Sequence, residues 1–335
     1  MVAPSRRTRG GITTVLEEWS KLPIWDGSGM GWLALQSNLG MMNKLYVLVL
    51  GYLKSLYKVP RYDIIHFHSV PGRCLVIQLP VFLYALLLRK RIVVHFHVGN
   101  QIESHIDDPL MKLYISKADR IVVLAEVWRR LLGKSAVGMN KVMTIYNPAP
   151  AVDRRIVERK KQILFMAYLN KNKGYDLLIK AFSKVASDCP DWHLVIAGAG
   201  EIQAARDMVA KLGSVDCITV LDWVSGSEKD TLYRSSSVYC MASYQEGFPM
   251  SVLEAYSYGL ALVTTPVGGL IDVVKDHENA IVFNFGDEPG LEDALRLLLN
   301  DGHLLHRLSE ESIKLAQGIF SLDNVCGSLV SLYNS

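Results

Sequence analysis

The stretch SYQEGFPMSVLEAYSYG, residues 243–259, decides how the chain is read, because it sets two glutamates eight positions apart in an otherwise weakly charged run. VYCMAS (238–243), which leads into it, has the continuous apolar character of a buried strand. MSVLEAYSYG reads as a half-buried helix that Gly259 closes as a C-cap. The intervening YQEGFP is then a strand-to-helix turn, and Pro249 suits the first helical turn, where no backbone donor is lost. The N–H groups of Met250, Ser251 and Val252 lack helical acceptors there and, with the helix dipole, make a place for an anion. Glu246, in the loop, points beyond that anion. Glu254, roughly a turn further in, reaches back along the same face toward a hydroxyl. An acid, an anion cradle and a second acid suit the sugar, diphosphate and ribose of a sugar nucleotide. A capped helix with one surface acid is the plainer alternative.

Outward from this stretch, short apolar strands alternate with helical patterns. DIIHFH, RIVVHFH, DRIVVLA and KVMTIYN are continuous β-branched runs of the kind found in parallel sheets. A second series follows in QILFMAY, WHLVIAG, CITVLDW, VYCMAS, ALVTTP and AIVFNF, with helical segments such as YDLLIKAFSKVA and EDALRLLLN between them. This rhythm on both sides of the break NPAPAVDRRIVERKK (147–161) predicts an α/β protein of two doubly wound, Rossmann-like domains facing across a cleft. The 335 residues suit two domains of about 150 each. The expected division is residues 1–150, then 151–320, with 321–335 as a C-terminal helix returning to the first domain. Only MVAP precedes SRRTRGG, so the first strand is expected to be short or missing.

Hydrophobic residues make up 50% of the chain and charged residues 21%, a globular composition that excludes disorder. The net charge of +3 conceals an asymmetry: residues 1–150 carry 19 Lys+Arg against 9 Asp+Glu, net +10, and residues 151–335 carry 17 against 24, net −7. A basic half favours anionic partners such as a phospholipid membrane surface or phosphate-bearing substrates, with solvated charge the plainer account, and nucleic acid is not among the expected partners. Five scattered cysteines without a C-x-x-C pair point to free thiols in a reducing compartment, so a cytoplasmic protein, peripheral at the inner face of the membrane, is expected. The run CLVIQLPVFLYALLL (74–88) falls short of the ~20 residues that span a bilayer and is read as a buried helix.

The loop NKNKGYDLL sets Lys173 before Gly174 at another strand-to-helix turn, where lysine offers a point charge to a diphosphate and glycine lets the backbone approach. HFH occurs twice, at 66–68 and 95–97; the i, i+2 spacing puts each pair on one strand face and invites a zinc reading, but it assigns no third ligand. Buried histidines at strand ends are the better account, and no metal site is expected. No D-x-D pair occurs to chelate a cation.

EGFPMSVLEA, followed by GLALVTTPVGGLIDVV, resembles the E-x7-E signature of the retaining GT-B glycosyltransferases, the large group 1 family that includes glycogen and sucrose synthases. RGGI, HFHVG, LNKNKGYDLLIKAF, VIAGAG and ENAIVF extend the resemblance in order over most of the chain. It implies a GT-B fold with an acceptor-side domain followed by a donor domain. In the family the residue matching Glu246 contacts the donor sugar and that matching Glu254 binds the ribose, with Gly247, Phe248, Pro249, Met250, Ser251 and Val252 between them. His97 matches the loop histidine beside the donor sugar. Gly10 and Gly11 match a loop approaching the diphosphate and acceptor, beside Arg6, Arg7 and Arg9. Trp223 and Val224 fall where the nucleobase rests, although Trp223 also suits a core. The family pairs the Lys173 position with an arginine about five residues earlier, where this chain has Tyr168.

The resemblance implies metal-independent, front-face transfer of a sugar from a nucleoside-diphosphate sugar to a glycan or lipid-linked acceptor, with no cofactor, as in polysaccharide biosynthesis. A sugar-nucleotide epimerase or hydrolase of the same fold, and a non-catalytic nucleotide-sugar binder, are the competing readings.

Overall fold

The computed structural model describes residues 1–8, 10–134, 138–153 and 159–335. It forms two compact units. The first comprises Met1–Pro148, Glu246–Met250 and Leu322–Ser335; the second comprises Ala149–Gln245 and Ser251–Ser321.

The first unit is built on β1 (Val2–Pro4), β2 (Leu33–Gln36), β3 (Ile64–Ser69), β4 (Arg91–Phe96), β5 (Arg120–Val123) and β6 (Val142–Thr144). These strands run parallel in the order β2-β1-β3-β4-β5-β6. Parallel strands are joined by crossovers that cover both faces, so Ile92, Val94, Ile121 and Val123 are buried on one side while Val93 and Val122 are buried on the other. The chain does open on a strand. It is three residues long and interior, with Val2 paired to Leu33 on one side and Phe67 on the other.

The C-terminal helix Leu322–Asn334 belongs to this unit and presents Val325, Leu329 and Leu332 to a core of Val15, Leu16, Trp19, Val93 and Val122. Spacings of four and three put these residues on one stripe. Arg91 donates to the carbonyls of Leu332 and Tyr333, both at 2.7 Å, placing a cation at the helix end where the dipole favours one.

Two helices of the first unit depart from the usual pattern. Met41–Lys58 buries only Gly51 and Ser55 and turns its large apolar residues outward. A side chain on Gly51 would begin 2.3 Å from the Ala34 carbonyl oxygen, so the helix lies directly on β2 through its small residues. Arg73–Leu87 contains the apolar run read as a buried helix. Leu75, Val81, Phe82 and Ala85 are buried, but Val76, Leu83 and Leu87 are exposed, so burial holds for one face only. Among the described residues no helix is long and apolar enough to cross a membrane.

The second unit contains β7 (Gln162–Leu169), β8 (His193–Gly200), β9 (Ile218–Leu221), β10 (Val238–Met241), β11 (Ala261–Thr264) and β12 (Ile281–Val282). They are parallel in the order β12-β11-β10-β7-β8-β9. The helix after β7, Tyr175–Val185, buries Tyr175, Leu178, Ile179, Phe182 and Val185 at helical spacing, and Leu291, Leu295 and Leu298 of Glu288–Asn300 join the same core. Strand order reverses between β7 and β10. In a doubly wound sheet the loops leaving two such strands diverge to opposite faces and open a crevice at their carboxyl ends.

Candidate functional site

Both loops at that reversal carry predicted site residues. After β7 the chain makes a single turn, Lys171–Lys173, in which the Asn170 side chain accepts from the Lys173 N–H at 3.2 Å. Gly174 closes the turn at φ 70°, and a side chain there would begin 2.2 Å from the Ala242 carbonyl oxygen just beyond β10. Only glycine fits both conditions. The loop after β10 is tied to this turn by the Tyr244 N–H, which donates to the Asn172 carbonyl at 2.7 Å. Lys173 is half-buried, whereas Lys171 is exposed and pairs with Asp176 at 3.8 Å.

The loop then reaches Glu246, which is half-buried. Gly247 packs on His97: a side chain on it would begin 2.1 Å from the His97 carbonyl oxygen. Phe248 is buried, its ring centroid 5.6 Å from that of Tyr146 and its carbonyl accepting from the Asn147 side chain at 3.2 Å. Pro249 is buried too and stands just before the helix Met250–Tyr258, one position earlier than the first-turn placement expected of it. Phe248 and Pro249 therefore pack the loop, and backbone is what they can offer a ligand. Val252 is buried and Ser251 half-buried, so the first turn presents N–H groups rather than side chains.

The far end of this helix is held firmly. Gly259 has φ 69°, its N–H donates to Tyr256, and the Leu260 N–H donates to Ala255, a left-handed cap. Arg159 donates to the carbonyls of Tyr258 and Gly259, and Ser309 to that of Gly259, each at 2.5 Å.

Glu254 meets a partner that spacing did not reveal. Lys229, on the helix Gly226–Ser235, donates to its carboxylate at 2.5 Å. Burial, and then the Glu254 charge, raise the Tyr233 phenol well above its ordinary range. One face of the second unit thus carries an acid–lysine pair one turn beyond the helix N-terminus.

Trp223 is 47% exposed after β9 and so is not a core residue, whereas Val224 is buried. Tyr168 is 61% exposed near the end of β7. Gly10 and Gly11 are exposed, with open space around both, at the start of the helix Gly11–Trp19. Arg6 stacks over Trp32 at 4.8 Å, and Arg9 lies outside the described residues.

The histidines form a buried ladder. Register pairing of β3 with β4 sets His68 opposite His95. Ring centroids of His66 and His68 stack at 4.4 Å and those of His95 and His97 at 4.2 Å, with Trp19 lying 5.3–5.9 Å from three of the rings. His68 Nδ1 bonds His97 Nε2 at 2.9 Å, and His66 Nδ1 bonds the Tyr333 hydroxyl at 2.7 Å.

His95 supplies the third ring that sequence spacing left unassigned: His66, His68 and His95 each offer a nitrogen within 4.8 Å of the others. Tetrahedral zinc at 2.0–2.1 Å would need those nitrogens about 3.4 Å apart and converging. Burial holds His66, His68 and His95 well below the ordinary imidazole range, and lowers His97 to about 3.

Residues 151–315 match the family described as Glycosyl transferases group 1. This part of the chain is a group 1 glycosyltransferase domain. A protein of Haemophilus influenzae named an uncharacterized glycosyltransferase is 29% identical over 204 residues, 60% of this chain and 57% of that protein. Mannosylfructose-phosphate synthase of Agrobacterium fabrum is 27% identical over 181 residues, 51% of this chain and 40% of that protein. The chain spans about half the length of the curated relatives it matches. The crystal structure of Anabaena HepE in complex with UDP-glucose aligns with a TM-score of 0.76 at 14% identity, covering 99% of this chain and 98% of that one. Sucrose-phosphate synthase of Thermosynechococcus elongatus aligns at 0.70 and 17% identity, covering 90% and 80%. The fold shared with these glycosyltransferase structures is GT-B. The group 1 domain contains Lys173, Glu254, Lys229 and both loops at the strand reversal.

The histidine ladder generates a pH dependence. Each imidazole stays neutral in the fold and charges near pH 6.5 once unfolded, so below that pH the unfolded chain binds more protons. Stability is then whole above about pH 7 and falls as pH drops from about 6.5 toward the lowered folded values, at about 1.4 kcal/mol per pH unit for each histidine. Urea midpoints measured at about pH 7.5, 6.5 and 5.5 should decline toward acid. They should decline less in a His66→Phe variant. A flat series would mean that the rings take up protons in the folded state.

Proposed function

We propose that the protein is a retaining glycosyltransferase that moves a sugar from a nucleoside-diphosphate sugar to a hydroxyl of a glycan or lipid-linked acceptor, without a metal ion. One observation carries the reading: the loops leaving β7 and β10, where strand order reverses, hold Lys173 and Glu246, and the helix that follows holds Glu254 one turn in. Membership of residues 151–315 in the group 1 family supports it, as do the UDP-glucose complex of Anabaena HepE and the activity for which the Agrobacterium synthase is named.

In this reading the diphosphate lies on the N–H groups of Met250, Ser251 and Val252, with Lys173 as its cation. Glu254 accepts from the ribose hydroxyls, its carboxylate oriented by Lys229. Glu246 accepts from the donor sugar, and His97, which lies against the Gly247 backbone, orients the reacting groups. The exposed Trp223 offers a face for the base. Transfer proceeds on one face of the sugar. The acceptor oxygen bonds to the anomeric carbon as the bond to the diphosphate oxygen breaks, and the acceptor proton passes to that leaving oxygen. Preorganised N–H groups and Lys173 take the developing charge in place of a metal ion.

Tyr168 favours one competing reading. A phenol donates a single hydrogen bond and neutralises no charge, so a non-catalytic nucleotide-sugar binder is the alternative.

Release of nucleoside diphosphate under saturating donor separates the two. The wild type should turn over with a suitable donor and acceptor. Lys173→Ala should lose ~10²-fold or more in turnover, by analogy with removal of a preorganised donor, and Tyr168→Arg should keep or raise the rate. Tight donor binding with no turnover in the wild type would instead establish the binder.

The same assay tests metal independence: EDTA should leave the rate unchanged. Loss with EDTA and recovery with magnesium or manganese would overturn that part of the reading.

Glu254→Ala should weaken donor binding by about 1.5–3 kcal/mol, the range for a hydrogen bond to a charged group, with the fold intact. Calorimetry that finds donor affinity unchanged in the folded variant would remove Glu254 from the ribose site.

A further inference from the structure

The helix Met41–Lys58 inverts the usual amphipathic arrangement. Gly51 and Ser55 face inward, while Met42, Leu45, Tyr46, Val49, Leu53 and Leu56 fall at helical spacing along one outward stripe, 48–80% exposed. Arg73–Leu87 continues the surface with exposed Val76, Leu83 and Leu87. The two helices are clasped by tyrosines: Tyr52 donates to the Ile77 carbonyl at 2.8 Å and Tyr84 to the Leu56 carbonyl at 3.2 Å. An apolar surface of this extent on a folded unit marks an interaction site.

Charge identifies what covers it. Residues 27–102 contain eight lysines and arginines and one acid, Asp63. Exposed Lys44 and Lys54 flank the stripe on its own helix, and Arg61 and Arg89 follow the C-terminal ends of the two helices. A second copy packed through the same face would set these cations against one another. Nucleic acid would match the charge and leave the aliphatic stripe unused. Anionic headgroups above acyl chains match both features, and tyrosine at such a boundary is favoured because its ring is apolar and its hydroxyl polar.

We propose that the face formed by Met41–Lys58 and Arg73–Leu87 docks onto an anionic phospholipid bilayer, with the aliphatic stripe entering the headgroup boundary and the lysines and arginines among the headgroups. The helix lies on the membrane rather than across it, consistent with the lack of a long apolar helix among the described residues. This goes beyond the functional reading above and does not depend on it, since docking is measured without donor or acceptor.

The test is co-sedimentation of the full chain with vesicles of phosphatidylcholine alone and of phosphatidylcholine containing about 30% phosphatidylglycerol. The wild type should bind the anionic vesicles at least about tenfold better. Leu45→Glu/Leu53→Glu and, separately, Lys44→Glu/Lys54→Glu should each lower that binding about tenfold or more. Both pairs are exposed, so circular dichroism and thermal unfolding should match the wild type. A Tyr46→Trp protein, changed at one exposed position only, reports depth directly: its added emission should shift to the blue with anionic vesicles. Binding that ignores lipid charge and both double substitutions would overturn the proposal, as would added emission from the Tyr46→Trp protein that stays unshifted once it is bound. So would a dimer, seen by light scattering, that Leu45→Glu/Leu53→Glu dissolves while the wild type ignores vesicles; that result would assign the face to a second copy.

Discussion

The carbonyl oxygen of His97 occupies the space that any side chain on Gly247 would need, and the course of the loop that carries Glu246 follows from that contact. The loop leaving β10 is pressed onto the backbone at the end of β4 and then pinned by Phe248 against Tyr146 and Asn147. Within the second unit, Arg159 and Ser309 hold the last carbonyls of the helix that ends at Tyr258. A helix held at its C-terminal end leaves its one acid, Glu254, little freedom. Glu254 then stands where Lys229 reaches it. A bulkier residue at 247 would meet the His97 carbonyl and displace the loop that carries Glu246.

The sequence was legible where one residue pattern had one structural meaning. Runs such as IVV and LVI are buried on both faces of a parallel sheet and nowhere else so economically, so ten of the strands could be located. The two opening strands could not. Val2–Pro4 and Leu33–Gln36 have three and four residues, and the second is set among glycines, too short for any periodicity to show. The glutamate pair was legible because a strand, a Gly-Phe-Pro turn and a helix frame it. Lys229 was not, because its carboxylate partner is 25 residues away on another helix. Nor was the orientation of Met41–Lys58. LYVLVLGYL reads as core by composition, and only the contact of Gly51 with Ala34 shows that its small side faces in.

The histidine ladder shows how polar rings are accommodated inside an apolar sheet. His68 and His97 share one hydrogen bond, His66 finds Tyr333 on the C-terminal helix, and Trp19 covers the group. Stacking satisfies the faces of the imidazoles while leaving several edges without a protein partner among the described residues. The arrangement keeps His97 in one orientation through His68 rather than through a charge.

Chain order has a consequence for biogenesis. Val325, Leu329 and Leu332, which close the core over Trp19 and Val122, leave the ribosome after every residue of the second unit. At about 5–20 residues per second, the first unit waits on the order of ten seconds or more with one wall of its sheet uncovered. Domains usually mature in the order they are made; here the unit begun first is finished last. Through that interval its open apolar wall is a natural substrate for a ribosome-bound chaperone, and a nascent chain arrested before residue 322 should remain one.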